Sequence, residues 1–412
     1  MTFLTSFCFV LLGLFSVSQA VVHTITTVNH KLYPGSPEYS HYYKRHQAQL
    51  KKRIGLQAYR SRSQGILTTE NVYFSSVANI SVGTPAQTFI VETDFFWNEN
   101  LILIDSKANL SSVSQDLPAK NTFSSSQSST FTDLSNNFTS WFGNGHLAND
   151  ILTLGDNVIS KVDFGLLDTV GSFLSYFSFD GLLGLAPSIS NSASSNLTSV
   201  LNQLATALDE PVITIWTNNN RSGNGSSAAT VGAVDSENCE SNWIYVPRVE
   251  TDYSSYSFHV SSVEMTLNEN KQTLGLNKTI IIDQYASSMY LPASLEPWLV
   301  NATYAVYDSD SGYYKVDCDT SKAAKLVFNI GGESNTTSTA NKQLVISAAD
   351  YVVYKKSSDF CYLAAHFSKY IHVLETNIQF MKNHCLALTS ETRLSGSLIL
   401  KLRLLMLNNF NK

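Results

Sequence analysis

Serine, histidine and aspartate are abundant in this chain, but the spacings that usually make them catalytic are absent. No G-x-S-x-G elbow presents a serine nucleophile. No H-E-x-x-H pair is available to bind zinc, the histidines do not cluster, and no glycine-rich loop cradles phosphate. Among the aspartates, Asp94 follows Phe89-Ile90-Val91-Glu92-Thr93 and Asp283 follows Ile280-Ile281-Ile282, and neither spacing by itself marks a catalytic group. Alone, such an aspartate is a solvated or turn-capping group. Two carboxylates held together are acid–base machinery. Like charges that close cannot both ionise cheaply, so one keeps its proton. The ionised partner then acts as base toward water, and the protonated one activates a carbonyl.

The remaining chemistry is that of an oxidising, glycosylating compartment. Phe7 to Val17 is an apolar run followed by Ser18-Gln19-Ala20, so residues 1–20 read as a secretory signal. Cys8 leaves with it. Cys239, Cys318, Cys361 and Cys385 remain, an even number that suggests two disulfides, and spacing alone allows three pairings. Asn79, Asn109, Asn137, Asn196, Asn220, Asn224, Asn277, Asn301 and Asn335 each begin N-x-S/T without an intervening proline. Those positions should be surface loops or strand ends. The expected location is extracellular or the lysosomal lumen. No cofactor and no metal is expected.

The elements that must position the two acids are short strands. Of the 412 residues, 43% are hydrophobic and 15% charged, with 20 Tyr and 22 Phe. From about residue 70, runs such as Val72-Tyr73-Phe74, Leu101-Ile102-Leu103-Ile104, Leu326-Val327-Phe328 and Leu344-Val345-Ile346 alternate with Gly, Asn, Ser and Asp. That texture is all-β. Leu197 to Leu208 has helical spacing, and a short helix is expected between His41 and Gly55. Residues 21–70 carry eight Lys/Arg and two Glu, a balance of +6, so the rest of a chain whose net charge is −6 carries −12. Residues 21–68 therefore read as a basic prosegment docked electrostatically on an acidic body. The acidic body would repel nucleic acid. The apolar C-terminal stretch Leu398 to Leu407 is too short for stable membrane insertion and reads as a terminal strand.

Several segments, in order, resemble the pepsin-like aspartic proteases. Ile80-Ser81-Val82-Gly83-Thr84-Pro85 with Gln87-Thr88-Phe89 is similar to that family's first strand-turn-strand. Phe179-Asp180-Gly181-Leu182-Leu183-Gly184-Leu185-Ala186 is similar to its F-D-G-h-h-G-L-A signature, h being apolar. Val231-Gly232-Ala233-Val234-Asp235 with Trp243 and Val246-Pro247, and Leu326 to Gly332, also fit. The matches span about residues 70–335, and the remainder matches poorly. The resemblance implies a bilobal all-β fold with a central cleft, an N-terminal lobe over 69–240 and a C-terminal lobe over 241–412. It also implies disulfides Cys318–Cys361 and Cys239–Cys385.

The resemblance further implies an acid from each lobe, each set in an Asp-Thr-Gly turn. Here those turns are altered. Counting forward from Gln87 puts Asp94 on the acid position, with Phe95 and Phe96 for Thr and Gly; counting back from Asn100-Leu101 puts Phe95 there. At the second site Asp283 is followed by Gln284 and Tyr285. In the hairpin over the cleft Phe142 replaces a tyrosine, and Val373-Leu374-Glu375 carries Glu in place of a supporting glycine. The expectation is a monomeric, secreted pseudoprotease that holds a peptide or protein in its cleft. The competing reading is an endopeptidase acting at acid pH through Asp94 and Asp283.

Overall fold

The computed structural model describes residues 23–32, 73–94, 100–113, 119–154, 157–171, 174–177, 179–186, 197–205, 208, 212–217, 226–239, 243–249, 256–267, 270–282, 288–330, 342–355, 359–369, 373–376, 385–392 and 398–405. The architecture is all-β. One sheet of thirteen strands runs in the order Trp243–Pro247, Leu398–Leu405, Leu386–Thr392, Val212–Thr217, Ser226–Val231, His23–Leu32, Tyr73–Val82, Gln87–Asp94, Gly181–Gly184, Leu101–Asn109, Asn157–Val170, Gly143–Leu154 and Thr132–Ser140. Tyr73–Val82 also pairs with Gly143–Leu154, which curls this end of the sheet back on itself. A second sheet holds Lys342–Ile346, Lys325–Ile330, Tyr256–Leu267, Asn270–Ile282, Val373–Thr376, Met289–Pro292 and Ala365–Ser368. A third, of four strands, holds Val306–Asp308, Tyr313–Val316, Phe360–Leu363 and Val352–Lys355.

One topological unit occurs in each half of the chain. In the first, Gln87–Asp94 runs parallel to Gly181–Gly184, which lies antiparallel to Leu101–Asn109 on its other side. In the second, Asn270–Ile282 runs parallel to Val373–Thr376, whose other neighbour is the antiparallel Met289–Pro292. A crossing strand is thus inserted between the strand that leads into each acid and the strand that leaves it. Two glycines make the first unit feasible. Gly83 takes φ +94° in the hairpin turn between Tyr73–Val82 and Gln87–Asp94, a conformation that side chains rarely adopt. At Gly181 a Cβ would lie 2.3 Å from the Ile102 carbonyl oxygen, so only a bare backbone packs there.

A continuous hydrophobic core joins residues of both halves, from Ile80, Phe89 and Leu183 to Tyr256, Phe328 and Leu363. Disulfides join Cys239 to Cys385 and Cys318 to Cys361. Asn79, Asn109, Asn137, Asn277 and Asn301 are exposed, whereas Asn196, Asn220, Asn224 and Asn335 lie outside the described residues.

Some expectations are revised. Within the expected helix Leu197 to Leu208, Val200–Ala205 is helical among the described residues, with Val200, Leu201 and Leu204 buried. The helix Glu296–Thr303 has no such spacing in its sequence; Pro297 at its first turn and Tyr304 in the left-handed C-cap bound it. Of the basic leader, His23–Leu32 is held by ladders to Tyr73–Val82 and Ser226–Val231, so this part docks by backbone pairing and not by charge alone. Its basic stretches, the expected helix near His41 and the signal lie outside the described residues. Leu398–Leu405 is a strand between Trp243–Pro247 and Leu386–Thr392. Among the described residues no helix is long and apolar enough to cross a membrane.

Candidate active site

Gln87–Asp94 ends on the first acid. Along it, burial first alternates, with Phe89 and Val91 buried and Ile90 exposed. It then becomes continuous over Glu92, Thr93 and Asp94, as a strand does when both faces are covered. Asp94 lies opposite Gly184, and its carbonyl accepts the Leu185 N–H at 2.7 Å. The Gly184 N–H donates to the Asn100 carbonyl at 3.0 Å. The crossing strand is therefore stitched to both sides of the turn. Phe95 and Phe96 are outside the described residues.

The side chains of Glu92, Thr93 and Asp94 have 0% exposure. With a period of two, Glu92 and Asp94 point to the same face. All three are engaged within the fold. Two carboxyl groups removed from water need protons or opposite charge close by. A group from the other half approaches them. Tyr256 is fully buried, and its hydroxyl donates to the Leu185 carbonyl at 2.6 Å, on the residue whose N–H binds Asp94. Burial pushes the Tyr256 hydroxyl pKa well up, with the Arg248 guanidinium opposing that rise and the Asp94 carboxylate adding to it. Arg248 is carried there by the next residue, since the Val249 N–H donates to the Ser257 carbonyl at 2.9 Å. Glu92, Arg248 and Tyr256 were not among the expected site residues. A charged residue two places before Asp94 in an apolar strand was the available signal for Glu92. Tyr256 is some 160 residues away in sequence, and nothing local marks it.

The base of the acid strand is fixed by the F-D-G segment. Asp180 accepts the Ile90 N–H at 2.8 Å and the Asn121 N–H at 2.7 Å. Lys120 is buried beside it and donates to the Phe177 and Phe179 carbonyls, both at 2.6 Å. Burial lowers the Lys120 pKa to about 8, with Asp180 acting in the opposite direction.

Asp283, Gln284 and Tyr285 lie outside the described residues. Ile280, Ile281 and Ile282 before them are buried. In the first half the glycine of Leu182-Leu183-Gly184 stands opposite the acid itself. In the second, Glu375 stands opposite Ile281, two residues short of Asp283. The sequence match of Glu375 to the supporting glycine is therefore out of register with the first half.

The cleft hairpin is Thr132–Ser140 with Gly143–Leu154. Ser140 pairs with Gly143, so Trp141 and Phe142 form its turn. Phe142 is buried in a cluster with Ile102, Leu182 and Ile281. Its N–H donates to the Ser140 hydroxyl at 3.1 Å, and its carbonyl accepts the Gly171 N–H at 2.8 Å. Trp141 faces outward, 57% exposed. The turn thus directs one ring into hydrocarbon and the other into solvent. Among the described residues no cluster of His, Cys, Asp and Glu could hold a metal ion.

The family model described as eukaryotic aspartyl protease matches residues 72–378. Aspartic protease 1 of Caenorhabditis elegans is 28% identical over 271 residues, covering 62% of this chain and 66% of that protein. Rhizopuspepsin-2 of Rhizopus niveus is 24% identical over 319 residues, covering 76% and 75%. Gastricsin of Homo sapiens is 26% identical over 261 residues, covering 61% and 64%. The chain thus spans just under two thirds of the Caenorhabditis protein's length.

Proposed function

The chain belongs to the eukaryotic aspartyl protease family, and we propose that it is a secreted member that binds a peptide or protein in its cleft without cutting it. The observation that carries this reading is the burial of Asp94. A carboxylate that shares a water with a second acid must meet that water, and the Asp94 side chain has no solvent contact. Its neighbours are equally ill-suited to catalysis. Phe96 stands where the family's turn needs a bare backbone, and a side chain there costs roughly 1–3 kcal/mol if tolerated. Fitting two rings into a turn without room costs ~1–3 kcal/mol more, so a rebuilt turn is the cheaper outcome. A displacement of about 1 Å at the reacting groups can cost on the order of a hundredfold in rate. Phe142 offers no hydroxyl, and its ring is committed to the cluster beneath it. Trp141, exposed at the hairpin turn, is the group suited to pack against a bound peptide.

The test is digestion of a denatured protein by the purified chain, freed of residues 21–68, between about pH 3 and 5, where an Asp dyad holds a single proton. No cleavage is expected. Cleavage that pepstatin blocks and Asp94→Asn abolishes would establish the endopeptidase instead. That alternative is supported by the position of Asp94 at the strand end opposite Gly184.

A further inference from the structure

Large apolar side chains exposed on this surface are few: Ile90, Trp141, Tyr304, Val306, Tyr307 and Tyr354 among the described residues. Two of these six, Ile90 and Tyr304, are joined directly to the asparagine of a glycosylation sequon. Asn79 is the direct cross-strand partner of Ile90, which is 46% exposed. Directly opposed residues of an antiparallel pair project from the same face about 5 Å apart. Asn301 lies in the last turn of the helix Glu296–Thr303, and the Tyr304 N–H donates to its carbonyl at 3.3 Å. Tyr304 is the left-handed C-cap that follows, so this main-chain bond brings the backbones of Asn301 and Tyr304 together at the helix end. Tyr304 is 72% exposed, and Val306 and Tyr307, on the edge strand Val306–Asp308, are 69% and 53% exposed on opposite faces of that strand.

We propose that N-linked glycans on Asn79 and Asn301 cover these two groups: the first sugars of each pack their C–H faces over Ile90 and over Tyr304. Both asparagines are exposed, and neither uses its side-chain amide in a hydrogen bond among the described residues. In the transfer, the asparagine Nδ2 bonds to the anomeric carbon of an oligosaccharide carried on a lipid diphosphate. The carbon–oxygen bond to the diphosphate breaks, and the amide gives up one proton. On the edge strand the glycan also blocks strand-to-strand association between copies. Trp141, at the hairpin turn, lies four residues after the sequon asparagine Asn137, which pairs with His146 further down the same hairpin. The inference rests on the chain entering the secretory pathway.

Its test uses the full chain secreted from a eukaryotic cell. Glycopeptide mass spectrometry is expected to find Asn79 and Asn301 occupied. Release of glycans from the folded protein by peptide N-glycosidase should raise the fluorescence of the apolar probe ANS several-fold, with the far-ultraviolet circular dichroism unchanged. Asn301→Gln should give part of that rise, and adding Tyr304→Ser should remove it. Asn109→Gln, beside no exposed large apolar group, should leave the probe signal where it was. Occupancy at Asn109 with Asn79 and Asn301 bare would overturn the proposal alone. An entirely unglycosylated chain would overturn both it and the secreted reading. Full occupancy with no probe response to deglycosylation would show that these glycans cover nothing.

Discussion

Asp94 is surrounded by bonds that suit a structural residue. Its carbonyl holds Leu185, Leu185 in turn accepts the Tyr256 hydroxyl, and Tyr256 comes from the other half of the chain. That three-residue path links the two halves through the main chain of Asp94 and Leu185. Tyr256→Phe removes the hydroxyl but leaves the Leu185 carbonyl buried without that partner. An unsatisfied buried acceptor costs ~1–3 kcal/mol, so the urea midpoint should fall with the slope of the transition unchanged. An unaltered midpoint would mean that the contact carries no net stability.

At the scale of elements, the second sheet carries a pH-sensitive contact. Ala365–Ser368 is its edge strand and pairs in parallel with Met289–Pro292, which places the half-buried His366 ring 5.2 Å from the Tyr290 ring. Burial lowers the His366 pKa to about 4, from an ordinary value of 6.5. The unfolded chain therefore binds a proton near pH 6.5 that the folded chain refuses until about pH 4. Stability contributed by the neutral ring is complete above the upper value and declines as pH falls through this window. The decline is at most ~1.4 kcal/mol per pH unit, and less because water reaches part of the ring. Melting temperatures between these two pH values should drop more steeply for the native chain than for His366→Phe. Equal slopes would remove His366 as the cause.

Much of this element-level organisation is legible in the sequence. The runs ending at Val91 and Ile282 are β-branched and apolar enough to name buried strands, and F-D-G-L-L-G marks the crossing strand because Gly181 must lie against the Ile102 carbonyl. Where local pattern and tertiary structure part, the reason is physical. Leu197 keeps the helical period and is buried, yet it precedes the helix, which starts at Val200, because burying a leucine does not require helix. Glu296–Thr303 has adjacent Trp298, Leu299 and Val300 and no periodic stripe, so packing decides its helix where spacing does not. The approach of Tyr256 to Leu185 is a long-range contact with no local trace.

At the scale of the whole molecule, the two halves repeat one plan with unequal fidelity. The first half keeps the acid, the glycine opposite it and the clamp from Asp180. In the second, Glu375 faces Ile281 in place of a glycine facing the acid. Catalysis of the family's kind needs both plans to converge on one water molecule, and the proposed non-cutting role predicts that they do not. Trp141 is exposed at the turn of the hairpin, as the proposed binding role requires. The most direct measurement is a crystal structure of the chain freed of its leader, at about pH 4, near the upper step of such a dyad's titration. The expected result is that Asp94 stays sealed from solvent and that no water bridges it to Asp283. A single ordered water within hydrogen-bond distance of both carboxylates would contradict the account at its root.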